Sequence, residues 1–164
     1  MGVDVGTVRV GVAVSDPGGI MATPVETLAR ASASDKDVQR VAELADDARA
    51  LEVVVGLPLN MKGEDTASTQ AARAWANTLK RIRPALRVIL VDERLTSVSA
   101  HQSLHASGVA GRKHRQHVDQ QAAVLILQAA LETERGTGRP PGLEVGGRKP
   151  RARRRTSEGD THDA

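Results

Sequence analysis

The sequence predicts an α/β protein with a mixed five-stranded sheet flanked by helices. Alternating valines in the first fifteen residues are typical of a half-buried hairpin. Two later runs, 52–58 and 87–91, are unbroken apolar stretches, which are typical of strands covered on both faces. Helically spaced apolar residues lie between and after these runs. Three consecutive strands followed by β-α-β units therefore predict a mixed sheet with right-handed crossovers.

The composition limits the class of protein. A length of 164 residues fits one domain and a tail, and the absence of cysteine excludes disulfides and thiolate metal sites. No apolar run approaches the length needed to span a bilayer, so we expect a cytoplasmic protein with no membrane partner. Trp75 is the only aromatic residue, and we expect it in the core. Base stacking on aromatic platforms is therefore excluded.

The first three strands form a meander in this prediction. Val8, Val10, Val12 and Val14 alternate with smaller or polar residues, and Gly6-Thr7 interrupts the pattern as a turn. Turn residues follow at 16–19, and the third strand is expected at 21–29, where a proline favours a sheet edge.

The remaining elements follow from capping residues and apolar spacing. Ser34 or Asp35 can cap the first helix, and Gly108 ends the third. The expected elements are a helix to about Ala50, a strand at 52–58, a helix at 66–83, a strand at 87–91, a helix from Thr96 or Ser97 to Ser107, a basic loop at 111–117 and a final helix at 118–134.

The amino-acid composition changes after the final helix. We expect a domain over 1–134 and a basic, disordered C-terminal tail over 135–164, because glycine, proline and arginine dominate there without apolar periodicity. Residues 1–134 carry 15 Lys and Arg against 16 Asp and Glu, whereas the tail carries 8 against 4. The high isoelectric point therefore belongs largely to the tail, which adds either sequence-independent attraction to nucleic acid or nothing beyond solubility.

Acidic residues occur where a solvated surface charge is not expected. Asp4 lies among valines in the first strand, Asp92 and Glu93 end a buried strand, and Asp119 shares a helix face with apolar residues. Each alone has an ordinary structural explanation, such as a strand end or a favourable place in a helix dipole. A sheet that aligns the first strand with the strands at 53 and 88 brings all three positions into one cleft at the carboxyl ends of the strands.

Clustered carboxylates favour a divalent cation. Ligation by oxygen alone favours Mg²⁺ or Mn²⁺, and two such ions can hydrolyse a phosphodiester, so nucleic acid is the expected partner. The basic residues expected to contact its phosphates are Arg9, Lys62, Arg94, Lys113 and Arg115. The histidines at 101, 105, 114 and 117 leave open a zinc site, although the metalloprotease pattern is absent.

Four motifs resemble the YqgF/RuvX family in order and spacing from Gly2 to about Glu134. These are Val3-Asp-Val-Gly6 with Arg9-Val-Gly11-Val-Ala13, Val55-Gly-Leu-Pro58 with Asn60-Met-Lys-Gly63, Val91-Asp-Glu-Arg-Leu-Thr96, and Asp119-Gln-Gln-Ala-Ala123 with Ile126-Leu-Gln128. The third and fourth motifs are the specific ones. The opening Asp-x-Gly-Thr is also similar to the first phosphate motif of actin-like kinases, which require two domains to close on ATP.

The resemblance implies an RNase H-like fold and a divalent-metal-dependent nuclease that processes pre-16S rRNA during ribosome biogenesis. It assigns Asp4, Glu93 and Asp119 as catalytic and metal-binding acids, with Asp92 in support. Two alternatives stay open: a resolvase of four-way DNA junctions, related to RuvC, and a non-catalytic RNA-binding assembly factor. Monomer and homodimer also stay open.

Overall fold

The computed structural model describes residues 1–96 and 112–147, with side chains for 1–96 and 120–147. The strands are β1 (Gly2–Val5), β2 (Arg9–Ser15), β3 (Ala22–Ala29), β4 (Glu52–Leu57), β5 (Arg87–Asp92) and β6 (Leu143–Glu144). The helices are α1 (Lys36–Asp47), α2 (Ala67–Ile82) and α3 (Arg112–Thr137), and a short 3-10 turn spans Glu93–Leu95. None of the helices in these ranges is long and apolar enough to cross a membrane.

The strands form one mixed sheet in the order β3-β2-β1-β4-β5-β6. The β1-β2-β3 meander is antiparallel, whereas β1, β4 and β5 run parallel. The predicted fold class is therefore confirmed, but the sheet has six strands where five were predicted. The additional strand, β6, pairs antiparallel with β5 and covers an edge that would otherwise present unpaired backbone groups.

The two faces of the sheet bury different helices. Residues of odd number in β1 and β4, such as Val3 and Val55, pack with α1 and α2 around Trp75, which is buried as predicted. Residues on the opposite face, such as Val54 and Ile89, pack against Ile126 of α3. This alternation is the period-two pattern of a strand, and it decides which helix each side chain meets.

The helix caps differ in part from the prediction. Thr66 caps α2 through a capping box with Thr69, as its place before the apolar run suggests. Asp35 occupies the N-cap position of α1, but its backbone is left-handed (φ 52°) and its side chain makes no cap hydrogen bond. Sequence reasoning located the start of this helix but not how it is capped.

Two predictions about the C-terminal third are wrong where the chain is described. The predicted basic loop at 111–117 is helical from Arg112, because its straight-chain basic residues are good helix formers. Residues 135–147 were expected to be disordered, yet α3 continues to Thr137 and β6 follows. The predicted helix from Thr96 or Ser97 to Ser107, and residues 148–164, lie outside the described residues.

Candidate active site

Asp4 lies near the carboxyl end of the central strand β1. Strand alternation places it on the same face as Gly2, which lies directly under α3: a Cβ at Gly2 would be 2.6 Å from Leu127 Cβ. The β1–β4 register pairs Val3 with Val55, so Asp4 is level with Gly56 of β4. Asp4 is only 7% exposed, which is unusual for a carboxylate in a sheet.

Glu93 reaches the same face from two strands away. It follows Asp92, the last residue of β5, and is 6% exposed. Alternation along β5 directs Ile89 and Val91 toward α3, and Glu93 continues this series. The negative charge of Asp4 acts on Glu93, which is consistent with two carboxyl groups close together.

Gly56, which has no side chain, leaves room for the Glu93 side chain over β4. A Cβ at Gly56 would lie 2.5 Å from Glu93 Oε1 and 2.5 Å from Ile126 Cδ1, so any larger residue would collide with both side chains. Sequence reasoning did not assign Gly56 a role, although an isolated glycine in an apolar strand often marks a close approach by another group.

The electrostatics of Asp4 and Glu93 favour a bound proton or cation. Burial, followed by the negative charges of Asp4 and Asp92, raises the pKa of Glu93 to about 8. A carboxyl group with such a pKa is poorly stabilised as an anion by its protein surroundings. The site can therefore take up positive charge at neutral pH.

Asp92 has a different environment from Glu93. Its carboxylate accepts hydrogen bonds from Arg94, with Nη2 at 2.7 Å and Nε at 3.1 Å. The side-chain hydrogen bonds from Arg94 are the main reason why the pKa of Asp92 is lowered. Asp92 thus orients Arg94, and its predicted supporting role at the site stays a prediction.

Three of the predicted phosphate contacts lie in or next to loops at the carboxyl ends of the parallel strands. Arg9 begins β2 immediately after the Gly6–Val8 turn. Lys62 lies exposed in the loop that follows β4. Gly63 of the same loop (φ 79°) lies against the Arg94 guanidinium, where a Cβ would be 2.9 Å from Nη1.

The other predicted site residues belong to the first turns of α3. Lys113, Arg115 and Asp119 are helical in backbone, and their side chains lie outside the described residues. Among the described side chains, no group of three His, Cys, Asp or Glu residues is arranged to hold a metal ion. The histidines considered for a zinc site also lie outside the described side chains.

The topology defines the fold class of the chain. A RuvC of Thermus thermophilus, solved with a Holliday junction substrate, matches with a TM-score of 0.51 at 18% identity, over 83% of this chain and 94% of that one. This likeness shows the fold alone. The chain has an RNase H-like fold with buried carboxyl groups at the carboxyl ends of its parallel strands.

The family follows from the sequence itself. Residues 1–133 match the model of the family described as "RuvX: Holliday junction resolvase", and the chain belongs to this family of nucleases, which are phosphodiester hydrolases. Relatives named "Putative pre-16S rRNA nuclease" include one from Clavibacter sepedonicus, 52% identical over 88% of this chain and 89% of its own length. Another, from Corynebacterium jeikeium, is 50% identical over 82% and 86%.

Proposed function

We propose that this chain is a divalent-metal-dependent nuclease in which Asp4, Glu93 and Asp119 are the catalytic, metal-binding acids. The buried pair of Asp4 and Glu93 carries the proposal. Burial and like charge raise the pKa of Glu93 to about 8, and a divalent cation would remove this cost by neutralising both carboxylates.

The path of α3 supports Asp119 as the third acid. Ala123 and Leu127 lie over Gly2, and farther along the helix Glu134 lies near Met1 at the amino end of β1. The helix therefore runs antiparallel to β1, and moving back from Ala123 approaches the carboxyl end, where Asp4 lies. Position 119 is one turn before Ala123 in this direction.

The residues fit Mg²⁺ or Mn²⁺ better than a softer metal. Their donors are carboxylate oxygens, which these ions prefer. When bound, two such ions supply an activated water and charge stabilisation for the leaving oxygen of the phosphodiester. The protein itself contributes the buried carboxyl groups of Asp4 and Glu93.

Basic residues around the acids support a nucleic-acid substrate. Arg9 at the start of β2, Lys62 in the loop after β4 and Arg94 in the 3-10 turn after β5 lie at the carboxyl ends of the parallel strands, and Asp92 holds Arg94 in place by its hydrogen bonds. We assign these three, together with Lys113 and Arg115, to phosphate contacts that position the strand and carry no sequence information.

Precursor 16S rRNA is the substrate we favour, with cleavage toward its 5′ end during ribosome biogenesis in the cytoplasm. The names of the relatives support this choice. The family description favours a second candidate, a four-way DNA junction. Both substrates present phosphodiesters to the same carboxylates, but a resolvase acts as a symmetric dimer that cuts two strands.

The test is cleavage of an end-labelled precursor rRNA by Asp4→Asn and by the unaltered chain, in Mg²⁺, Mn²⁺ or EDTA. We expect metal-dependent cutting that falls about a hundredfold or more in the variant, while RNA binding is largely kept. Asp46→Asn is the matched control, because Asp46 pairs with Arg83 away from the site. It should cleave normally.

The outcomes separate the candidates. Equal cleavage by Asp4→Asn would refute the assignment of the acids. Cleavage of a four-way junction but not of RNA would favour the resolvase. If the unaltered chain binds RNA but cuts neither substrate, the chain is a non-catalytic assembly factor instead.

A further inference from the structure

Three loops surround the carboxylates, and each carries an exposed aliphatic side chain beside a basic residue. The aliphatic residues, which we call the aliphatic rim, are Val8 (66% exposed), Met61 (97%) and Leu95 (79%). Their basic neighbours in the chain are Arg9, Lys62 and Arg94. The loops follow β1, β4 and β5, so the aliphatic rim lies at the same sheet edge as Asp4 and Glu93.

The exposure of Met61 is fixed by an ordered turn. Asn60 Oδ1 accepts hydrogen bonds from the backbone N–H groups of Lys62 and Glu64, both at 2.9 Å. The Gly63 N–H also donates to Asn60 O at 2.9 Å, and Asn60 Nδ2 donates to Glu64 Oε2 at 3.0 Å. The turn thus holds an apolar side chain in water, where it makes no contribution to the core.

Leu95 is held in a similar way. The 3-10 turn that carries it is closed by the Thr96 hydroxyl, which donates to Glu93 O at 2.7 Å, and by Asp92 Oδ1, which accepts from the Arg94 N–H at 2.9 Å. Because Gly63 lies against the Arg94 guanidinium, the loops that bear Met61 and Leu95 are in contact.

We propose that the aliphatic rim binds unpaired nucleobases next to the scissile phosphate, which defines the substrate as a strand that is single-stranded or locally unpaired at the cut. This inference rests on the proposed nuclease function. A nucleic-acid strand presents both phosphates and apolar base faces, which matches the one basic and one aliphatic side chain that each loop carries. In a continuous duplex the base faces are stacked and closed to a side chain, and only unpaired bases offer a free face.

Aliphatic contacts replace aromatic stacking in this chain. The single aromatic residue, Trp75, is buried among α1 and α2 and donates its indole N–H to Asp37. No aromatic side chain is left for base stacking, so exposed aliphatic side chains supply the apolar contact to base faces, as do the apolar wedges that other proteins insert between bases. The free energy gained is that of burying the exposed side chain.

The test measures RNA binding in an Asp4→Asn background with Ca²⁺, so that cleavage does not intervene. The probes are a single-stranded oligoribonucleotide containing 2-aminopurine and a fully paired duplex of the same sequence. We expect Met61→Ala and Leu95→Ala each to weaken single-strand binding about three- to tenfold and to reduce the fluorescence change, while duplex binding is unchanged.

The matched controls are Met21→Ala and Leu51→Ala, because these side chains are also exposed but directly precede β3 and β4, at the amino ends of strands that run parallel to β1. They should bind both probes normally. The proposal would be overturned if the Met61 and Leu95 variants lost affinity for single strand and duplex equally. It would also be overturned if these variants lost no affinity for either probe, and the aliphatic rim would then be a docking surface for a protein. These results are independent of whether Asp4→Asn abolishes cleavage, so failure of the nuclease proposal is recognised separately.

Discussion

At the scale of single residues, the site depends on which side of β5 each acid occupies. Glu93 lies toward α3 with Asp4, whereas Asp92 turns to Arg94 at the adjacent loop. The sequence could place both acids at the end of a buried strand. Choosing Glu93 by physical reasoning required the register of β4 and β5 and the knowledge that the Glu93 side chain occupies the space over Gly56, which no single-sequence pattern reports.

The raised pKa of Glu93 predicts a pH-dependent stability in the absence of metal. In the folded chain its pKa is about 8, against 4.5 as the ordinary value, so the folded state binds the proton more tightly. This contribution is fully present below about pH 4.5 and is lost as the pH rises toward 8. The free energy of unfolding should fall by up to about 1.4 kcal/mol per pH unit in this window.

Urea unfolding in EDTA between pH 5 and 9, compared with the Glu93→Gln variant, measures this effect. The variant should lose the part of the pH dependence that comes from Glu93, and added Mg²⁺ should restore stability to the unaltered chain at high pH. Identical pH profiles for the two proteins would show that Glu93 ionises without cost and would remove the argument for a cation at this site.

At the scale of elements, the predicted strands and the first two helices agree with the structure, and β6 is the main omission. Gly142 (φ 72°) turns the chain into β6, and Gly138 (φ 66°) follows the end of α3. The glycines that suggested disorder are therefore turn residues. Two paired residues are too short to produce a periodic signal, so only the contact with β5 could reveal this strand.

Leu143 in β6 and Val145 directly after it differ in burial, so a substitution at one position is a control for the other. Val145 is buried in the core of the α1–α2 face, whereas Leu143 is exposed. Val145→Ala should lower the free energy of unfolding by about 1.5–2.5 kcal/mol, because two buried methyl groups are lost and a cavity remains. Leu143→Ala should change it by less than about 0.5 kcal/mol. Chemical denaturation of both variants is the measurement, and equal effects would mean that this segment does not dock on β5.

At the scale of the whole molecule, charge is distributed unevenly between the body and the tail. Residues 1–134 are close to neutral, whereas six of the eight residues at 148–155 are basic. β6 runs antiparallel to β5, and the Val145 N–H donates to Val88 O, so the chain leaves toward the amino end of the sheet. Gly147, the last described residue before the basic segment, therefore lies toward the end of the sheet opposite the carboxylates.

This separation predicts that the tail affects affinity for RNA without affecting where RNA is cut. Ending the chain after Gly147, or replacing the six basic residues with glutamine in the full chain, should reduce the slope of log affinity against log salt. The reduction is up to about 4, since each neutralised phosphate of a single strand contributes about 0.7. Binding titrations between low and physiological salt measure the slope, and cleavage at low salt should give the same product ends for all three proteins. An unchanged slope would limit the tail to solubility, whereas altered product ends would place it near the carboxylates and contradict the path that β6 imposes.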